Sequence, residues 1–143
     1  MQQPAQPVAR PFGPALERLR AVGLRPTRQR LALAKLLFDT DDRHVTAEML
    51  HGEALRSRVR VSLATVYNTL HQFTDAGLLR EIVVDAERSY FDTNVSNHHH
   101  LFDEGTRHLH DIPEADIRLD SLPLLPEGME VSRVDVIVRI KKA

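Results

Sequence analysis

A helical pattern that runs directly into a hairpin pattern constrains the fold of this chain more than any other feature. Ser62 is a good helix N-cap, and the apolar residues after it recur at spacings of three and four. Gly77 is placed to end this helix, and the β-prone runs at residues 78–84 and 88–92 predict a hairpin. Helices followed at once by a hairpin predict a winged helix-turn-helix. The apolar face of the predicted helix consists of Leu63, Val66, Leu70 and Phe73.

Three earlier segments also have helical patterns. Pro14 suits the first turn of a short helix, and Thr27 and Thr46 are placed to cap two further helices. Residues 1–12 are rich in proline and glutamine and contain few large apolar side chains, which predicts a disordered arm. We therefore expect a winged-helix domain over residues 13–92.

The character of the chain changes after this point. Strands are expected at about residues 98–103 and 107–112, and residues 114–119 are weakly helical. In residues 131–140, valine and isoleucine alternate with mostly charged residues, as in a half-buried strand. A sheet this small would be marginal alone, so we expect residues 93–143 to pair with a second copy as a homodimer. The predicted fold class is α+β, with an N-terminal winged helix-turn-helix domain followed by a small α/β dimerisation domain with a short sheet.

Composition narrows the function classes. The 143 residues include no cysteine, which excludes disulfides and thiolate zinc sites and leaves nitrogen and oxygen as metal ligands. No apolar run reaches the roughly 18 residues of a membrane helix and no secretion signal is evident, so a cytoplasmic protein is expected. The chain has 12 Lys and Arg against 7 Asp and Glu up to Arg80, and 7 against 13 after it. The basic half predicts a polyanionic partner, and the acidic, histidine-rich half predicts a cation.

The fourth helix carries polar residues beside its apolar face that can enter a DNA groove. Asparagine and glutamine pair with adenine edges, and threonine and tyrosine can bind phosphate or touch a thymine methyl group, so the helix suits AT-containing DNA. Arg25, Arg28 and Arg30 lie near the start of the second helix and are phosphate candidates. The groove-facing candidates are Thr65, Tyr67, Asn68, Thr69 and Gln72.

Five of the eight histidines fall within residues 98–110, a density that favours a metal or haem site. In a strand, His98 and His100 point to one side and His99 to the other, so the first two form a metal-binding pair. A side chain directed away from that pair, as His99 is, could ligate haem iron. The residues that could complete the metal sphere are His44, Asp92 and Asp111.

Such a mixed nitrogen and oxygen sphere suits Fe(II), Mn(II) or Zn(II), and the sequence does not choose among them. The position of Asp111 in this sphere could instead be taken by His108 or His110.

Four motifs together resemble the ferric uptake regulator (Fur) family. They are VGLRPTRQR at residues 22–30, HVTAE at 44–48, SLATVYNTL at 62–70 and HHHL at 98–101. The lack of cysteine and the triple histidine are most similar to the iron response regulator (Irr) branch of α-proteobacteria. This resemblance implies a dimeric repressor of iron and haem homeostasis genes that binds AT-rich inverted repeats.

The resemblance also implies roles for individual residues. The hinge between the domains would carry the sensing metal, and the triple histidine would bind haem. The implied DNA contacts are Arg25, Arg28, Ser62, Thr65, Tyr67 and Asn68, of which Asn68 replaces the arginine usual in the family. The implied metal ligands are His44, Asp92, His98, His100 and Asp111. The implied haem ligands are His98, His99 and His100.

The resulting hypothesis is that metal tethers the winged helix, through His44 and Asp92, to the dimerisation sheet, and that haem disturbs this arrangement. Three alternatives remain. Asp92 resembles the aspartate that the family's peroxide sensors use, so the chain could be a peroxide-sensing metalloregulator. A small metal-dependent hydrolase would use the same ligand types to activate water, but no separate general base can be named. A metal-storage or chaperone protein would make the helix-turn-helix incidental.

Overall fold

The computed structural model describes residues 12–143 and divides them into two compact units, the first ending at Val95 and the second running Ser96–Ala143. The predicted arm lies outside the described residues, apart from Phe12. No helix within the described range is long and apolar enough to cross a membrane. The architecture is α+β in the predicted order, helices and a hairpin followed by a small sheet, so the predicted fold class is confirmed.

The first unit contains four helices, and its caps agree with the sequence pattern. The helices are α1 (Gly13–Ala21), α2 (Arg28–Phe38), α3 (Ala47–Arg56) and α4 (Leu63–Asp75). Thr27, Thr46 and Ser62 each accept a hydrogen bond from a backbone N–H of the first turn that follows, at 3.1–3.2 Å. Each cap satisfies a donor that the helix itself leaves unpaired, which is why the helices begin where they do.

Helix α4 ends in a Schellman motif. Gly77 has a φ of +86°, and its N–H donates to Thr74 while the N–H of Leu78 donates to Phe73. The predicted strand at residues 78–84 therefore starts later, because Leu78 closes the helix and Leu79 packs into the core.

One core holds the first unit together. Helices α2, α3 and α4 contribute side chains that are fully buried, and each such large apolar side chain contributes about 1.5–3 kcal/mol relative to exposure. The largest of them are Leu33, Leu37, Leu50, Leu70 and Phe73, and Leu19 of α1 and Phe91 of the hairpin are buried in the same core.

A three-stranded sheet completes this unit. Strands β2 (Arg80–Asp85) and β3 (Arg88–Asp92) form the predicted hairpin, and β1 (His44–Val45) pairs antiparallel with β3, giving the order β1-β3-β2. The sequence did not predict β1, because two residues are too few to show an alternating pattern.

The second unit is built on β4 (His98–Asp103), which lies at the centre of the sheet order β5-β4-β6. Strand β5 (Leu109–Pro113) is antiparallel to β4, and β6 (Ile137–Ile140) is parallel to it. Two elements are shorter than predicted. Residues 114–119 form only one 3₁₀ turn, Glu114–Asp116, which has no side-chain cap. Of the strand expected at residues 131–140, only the last four residues pair.

Candidate functional site

Two histidines of β4 and an aspartate of β5 form one set of metal-ligating side chains. Nε2 of His98 lies 3.2 Å from Oδ1 of Asp111, and Nε2 of His100 lies 3.5 Å from the same oxygen. The arrangement follows from the sheet, because residues two apart share a face and His100 is directly opposite Asp111 in the β4–β5 ladder. Two nitrogens and one oxygen therefore converge in the second unit.

The tautomer of His98 suits a metal ligand. Its Nδ1 lies 2.6 Å from the carbonyl oxygen of Ser96, and because a carbonyl can only accept, Nδ1 carries the proton and donates. The lone pair is therefore on Nε2, the nitrogen that lies near Oδ1 of Asp111. A backbone partner of this kind orients a ligating imidazole and raises its basicity.

A second donor pair lies in the first unit. His44 and Asp92 are opposed residues of the β1–β3 ladder, and Nε2 of His44 is 3.1 Å from Oδ2 of Asp92. Asp92 is only 1% exposed, and its Oδ1 accepts a hydrogen bond from the N–H of Asn94. A carboxylate this deeply buried needs a cationic or hydrogen-bonding partner, which a metal ion can provide.

The donor chemistry of both sets fits a divalent metal ion. Within each set, one ligand atom per residue lies within 4.8 Å of the others. Imidazole nitrogens and carboxylate oxygens are ligands for Fe(II), Mn(II) and Zn(II), so the donor types do not choose among these ions. His110 pairs with Leu101 instead of a histidine, and neither His108 nor His110 belongs to either set.

His99 is directed differently from its neighbours. Its Nδ1 accepts a hydrogen bond from the backbone N–H of Val136 at 3.2 Å, so in the neutral ring the proton is on Nε2. The side chain is buried and lines a cavity of ≈ 310 Å³ in the second unit. The other residues of the cavity wall are Asn97, His98, Glu114, Ile117, Leu119, Ser132, Arg133 and Val134.

This arrangement fits haem poorly. A histidine that ligates iron through Nε2 must present a lone pair there, whereas the hydrogen bond from Val136 places the proton on Nε2 of His99. Iron ligation would therefore break the contact with Val136. The cavity wall includes no phenylalanine, tyrosine or tryptophan that would cover a porphyrin face.

The exposed side of α4 carries part of the predicted DNA-reading set. Asn68 and Tyr67 are exposed, and Thr65 is half-buried. Ser62 is exposed, and its hydroxyl is engaged in the cap, where it accepts from the N–H of Thr65 and donates to the Thr65 hydroxyl. Arg25 and Arg28 are exposed near the start of α2. These six residues all belong to the first unit.

One of the further candidates, Thr69, is corrected, and the other two, Arg30 and Gln72, contact each other. Thr69 is only 5% exposed, because it lies three residues after Val66 and so falls within an apolar face that is wider than predicted. Arg30 and Gln72 bind each other, with Nη2 donating to Oε1 at 2.9 Å. The guanidinium of Arg30 also donates to the carbonyl oxygen of Arg25, so it ties α2 to α4.

Glu48, which contacts this face, was not predicted from the sequence. The hydroxyl of Tyr67 donates to Oε1 of Glu48 at 2.7 Å. This hydrogen bond raises the pKa of Tyr67, so the phenol remains protonated well above neutral pH. The two residues are 19 positions apart on different helices, and no local pattern links them.

A sequence model of the ferric uptake regulator family matches residues 21–139. The ferric uptake regulation protein of Shigella flexneri is 36% identical over 81 residues, which cover 57% of this chain and 55% of that protein. The peroxide-responsive repressor PerR of Staphylococcus aureus is 35% identical over 86 residues, which cover 60% of this chain and 57% of that protein. The matched regions thus span a little over half the length of these curated relatives.

Solved structures share the fold. A ferric uptake regulator from Pseudomonas aeruginosa with manganese superposes with a TM-score of 0.69 at 24% identity, over 90% of this chain and 97% of that chain. The Vibrio cholerae ferric uptake regulator gives a TM-score of 0.69 at 21% identity, over 88% of this chain and 98% of that chain. At these identities the likeness establishes the fold alone.

Proposed function

Because the chain belongs to the ferric uptake regulator family, we propose that it is a metal-dependent, DNA-binding transcription regulator and has no enzymatic activity. The observation that carries this proposal is the pair of donor sets, each held by a strand ladder. One consists of His44 and Asp92 in the first unit. The other consists of His98, His100 and Asp111 in the second unit.

We propose that the residues of both donor sets are ligands for Fe, Mn or Zn. A bound divalent ion would supply a cross-link between chain segments that are distant in sequence, and the donors of each ladder would orient it. His98 contributes to this orientation, because the carbonyl oxygen of Ser96 holds its ring with Nε2 on the side of Asp111. Ligand binding can shift a conformational equilibrium only by its differential affinity for the two states, so metal must bind one arrangement of the ligands better than the other.

The proposed DNA partner is an AT-rich inverted repeat. Asn68 offers an amide that pairs with adenine, Tyr67 offers an apolar ring for a thymine methyl group, and Thr65 and Ser62 offer hydroxyls near the phosphates. Arg25 and Arg28 would neutralise phosphates, which supplies affinity without sequence preference.

A homodimer is also part of the proposal. The second unit exposes several large apolar side chains, and Leu124 is 100% exposed, which is costly unless another surface covers it. A second copy of the chain is the occupant we propose, because inverted repeats match the two-fold symmetry of a dimer. The exposed apolar side chains are Leu119, Leu122, Leu124, Leu125, Met129, Val131, Val138 and Ile140.

The function is tested by DNA-binding titration of the purified protein. An AT-rich duplex selected from a randomised inverted-repeat library is titrated with Mn(II)-loaded protein and with protein in chelator. We expect tight binding only with the metal. Equal affinity in both conditions would contradict metal dependence, and failure to enrich any duplex would contradict sequence-specific DNA binding.

Haem-responsive control of iron and haem genes, as in the iron response regulator branch, is the finer form of this proposal. The triple histidine supports it, whereas the hydrogen bond between Val136 and His99 opposes it, so we assign no mechanistic step to haem. Haem titration followed by the Soret absorbance is the direct test, with His99→Ala as the variant. If binding is absent, or equal in the wild type and the variant, His99 is not the haem ligand.

Peroxide sensing is the second candidate function. It is favoured by the buried carboxylate of Asp92 beside His44, and by the 35% identity to PerR of Staphylococcus aureus over 86 residues. Iron-loaded protein exposed to peroxide and examined by mass spectrometry distinguishes the two. A one-oxygen mass gain on His44 or His98 would support peroxide sensing, and unmodified histidines would exclude it.

A further inference from the structure

The hydrogen bond between Tyr67 and Glu48 joins the exposed face of α4 to the first turn of α3. The donor is the phenolic hydroxyl and the acceptor is Oε1, 2.7 Å away. Both residues are exposed, so the contact is not a by-product of core packing. The tyrosine lies among the residues proposed to read DNA, whereas the glutamate lies on the neighbouring helix.

Glu48 lies at a helix N-terminus. It occupies the first turn of α3, where the free N–H groups of the helix create a positive partial charge. A hydrogen bond to an ionised carboxylate is shorter and stronger than one between neutral groups. The contact with Tyr67 is of this strong kind, although both groups face water.

A negative charge on this face opposes DNA binding in general. DNA affinity is dominated by phosphate neutralisation, so a carboxylate near the duplex lowers affinity for every sequence. Glu48 therefore does not increase the affinity for DNA, and its role must be a different one. One benefit is the interaction with the N-terminus of α3 described above, and a second is the contact with Tyr67, which restricts the rotation of the ring before DNA arrives.

A restricted ring changes what Tyr67 can recognise. The hydroxyl already donates its hydrogen bond to Glu48. The ring therefore offers DNA its apolar edge and face, which distinguish a thymine methyl group from other base edges. A side chain that is ordered in advance also loses less conformational entropy on binding.

We propose that Glu48 is a positioning residue that holds the ring of Tyr67 for base recognition, and that it increases sequence discrimination while its charge lowers affinity for DNA of any sequence. This inference rests on the proposed DNA-binding function.

The test is a double-mutant cycle on Mn(II)-loaded protein. Affinities for the selected AT-rich duplex and for a shuffled duplex of the same composition are measured for the wild type, Glu48→Ala, Tyr67→Phe and the double variant. We expect Glu48→Ala to lower the affinity ratio about three- to tenfold, the range of one lost hydrogen bond. Tyr67→Phe should lower it similarly, and the double variant no further. An unchanged ratio, or a full Glu48→Ala effect in the Tyr67→Phe background, would overturn the proposal.

Two matched variants separate charge from positioning. Glu48→Gln keeps an acceptor for the hydroxyl, so the ratio should stay near that of the wild type while the affinity for both duplexes rises. Glu17→Gln removes an equal charge from an exposed position on α1 and should leave the ratio unchanged. If Glu17→Gln changed the ratio as much as Glu48→Ala, a general charge effect would explain the result.

A second readout does not depend on DNA. The chain has two tyrosines and no tryptophan, so tyrosinate absorbance can be titrated directly. Glu48→Ala should lower the pKa of Tyr67, and Tyr67→Phe identifies which transition belongs to it. An unchanged titration would exclude the contact itself. If the contact is present but the wild type has no sequence preference, the DNA-binding function fails, and the discrimination role fails with it.

Discussion

His44 and Asp92 stand directly opposite each other in the β1–β3 ladder, with Nε2 of the histidine 3.1 Å from Oδ2 of the aspartate. Strand register therefore creates this donor pair, and a shift of one residue would direct one of the two side chains to the other face. The same holds for His100 and Asp111 in the second unit. Both donor sets consequently depend on intact sheets.

Replacement of either β4 ligand should abolish tight metal binding. His98→Ala and His100→Ala each remove a nitrogen donor, and because even outer partners of ligands are worth about 10–100-fold, we expect losses of at least about 100-fold. Metal affinity is measured by competition with a chromophoric chelator. His110→Ala, which changes an exposed histidine of β5, is the matched control and should bind like the wild type. Equal losses in all three variants would contradict the assignment.

Asn68 and Arg28 should affect DNA binding in different ways. Asn68→Ala removes a proposed base contact and should weaken binding to the selected duplex by about 1–3 kcal/mol while relaxing its specificity. Arg28→Ala removes a proposed phosphate contact and should weaken binding to all duplexes and reduce the salt slope by about 1. Anisotropy titrations at several salt concentrations separate them. A sequence-independent loss in Asn68→Ala would show that it binds phosphate.

The cap of α4 should be separable from its contact with DNA. Ser62→Ala removes the acceptor for the N–H of Thr65 and should lower the free energy of unfolding by about 1 kcal/mol. Ser62→Asp keeps a cap but adds a negative charge, so stability should be retained while DNA affinity falls. Denaturant unfolding and anisotropy measure the two effects, and Ser121→Ala at an exposed position outside the helices is the control. A Ser62→Ala variant with the same free energy of unfolding as the wild type would contradict the role of Ser62 as a cap.

The ion pair of Arg43 and Glu53 should contribute more to stability than a surface pair. Nη1 of Arg43 lies 2.8 Å from Oε1 of Glu53, both side chains are 24% exposed, and the contact raises the pKa of Arg43. Glu53→Ala should cost about 1.5–3 kcal/mol, because it leaves a half-buried guanidinium without its bidentate partner. Asp39→Ala breaks the more exposed pair with Lys35 and should change stability by about 0.5 kcal/mol at most. Similar costs in urea unfolding would refute this difference.

Asp103 should give the second unit an acid-sensitive contribution to stability. The N–H groups of Thr106 and Gly105 donate to its carboxylate and hold its pKa below the usual value. Because the folded pKa is the lower one, this contribution is present above the unfolded value of about 3.9 and is lost as pH falls through the folded pKa. The stability difference between the wild type and Asp103→Asn should therefore vanish in acid. Asp120→Asn provides the control, and a difference that persisted at low pH would argue against charge as its cause.

Local patterns predicted much of the first unit. Thr27, Thr46 and Ser62 cap their helices as expected, because capping depends on residues within one helical turn. The short strand β1 and the contact of Tyr67 with Glu48 were not predicted, since both depend on pairing between distant segments. Thr69 was wrongly predicted to face DNA, because the small side chain of a threonine can complete the apolar face of a helix.

In the second unit, the alternation of β4 predicted that His98 and His100 would share a side, and the two rings lie 4.6 Å apart between centroids. The extent of β6 was not predictable, because alternation shows which side chains share a face but not how many residues find a partner strand. Only residues 137–140 pair with β4.

The hydrogen bond from the N–H of Val136 to His99 limits which residues can replace this histidine. The imidazole serves here as an acceptor that a backbone carbonyl would normally provide, immediately before β6 joins β4 in parallel. A backbone carbonyl would be present whatever the sequence, whereas this acceptor depends on the side chain of His99. Substitution at position 99 would remove the acceptor of the Val136 N–H just before β6, and only a side chain with an acceptor at similar reach would preserve the contact.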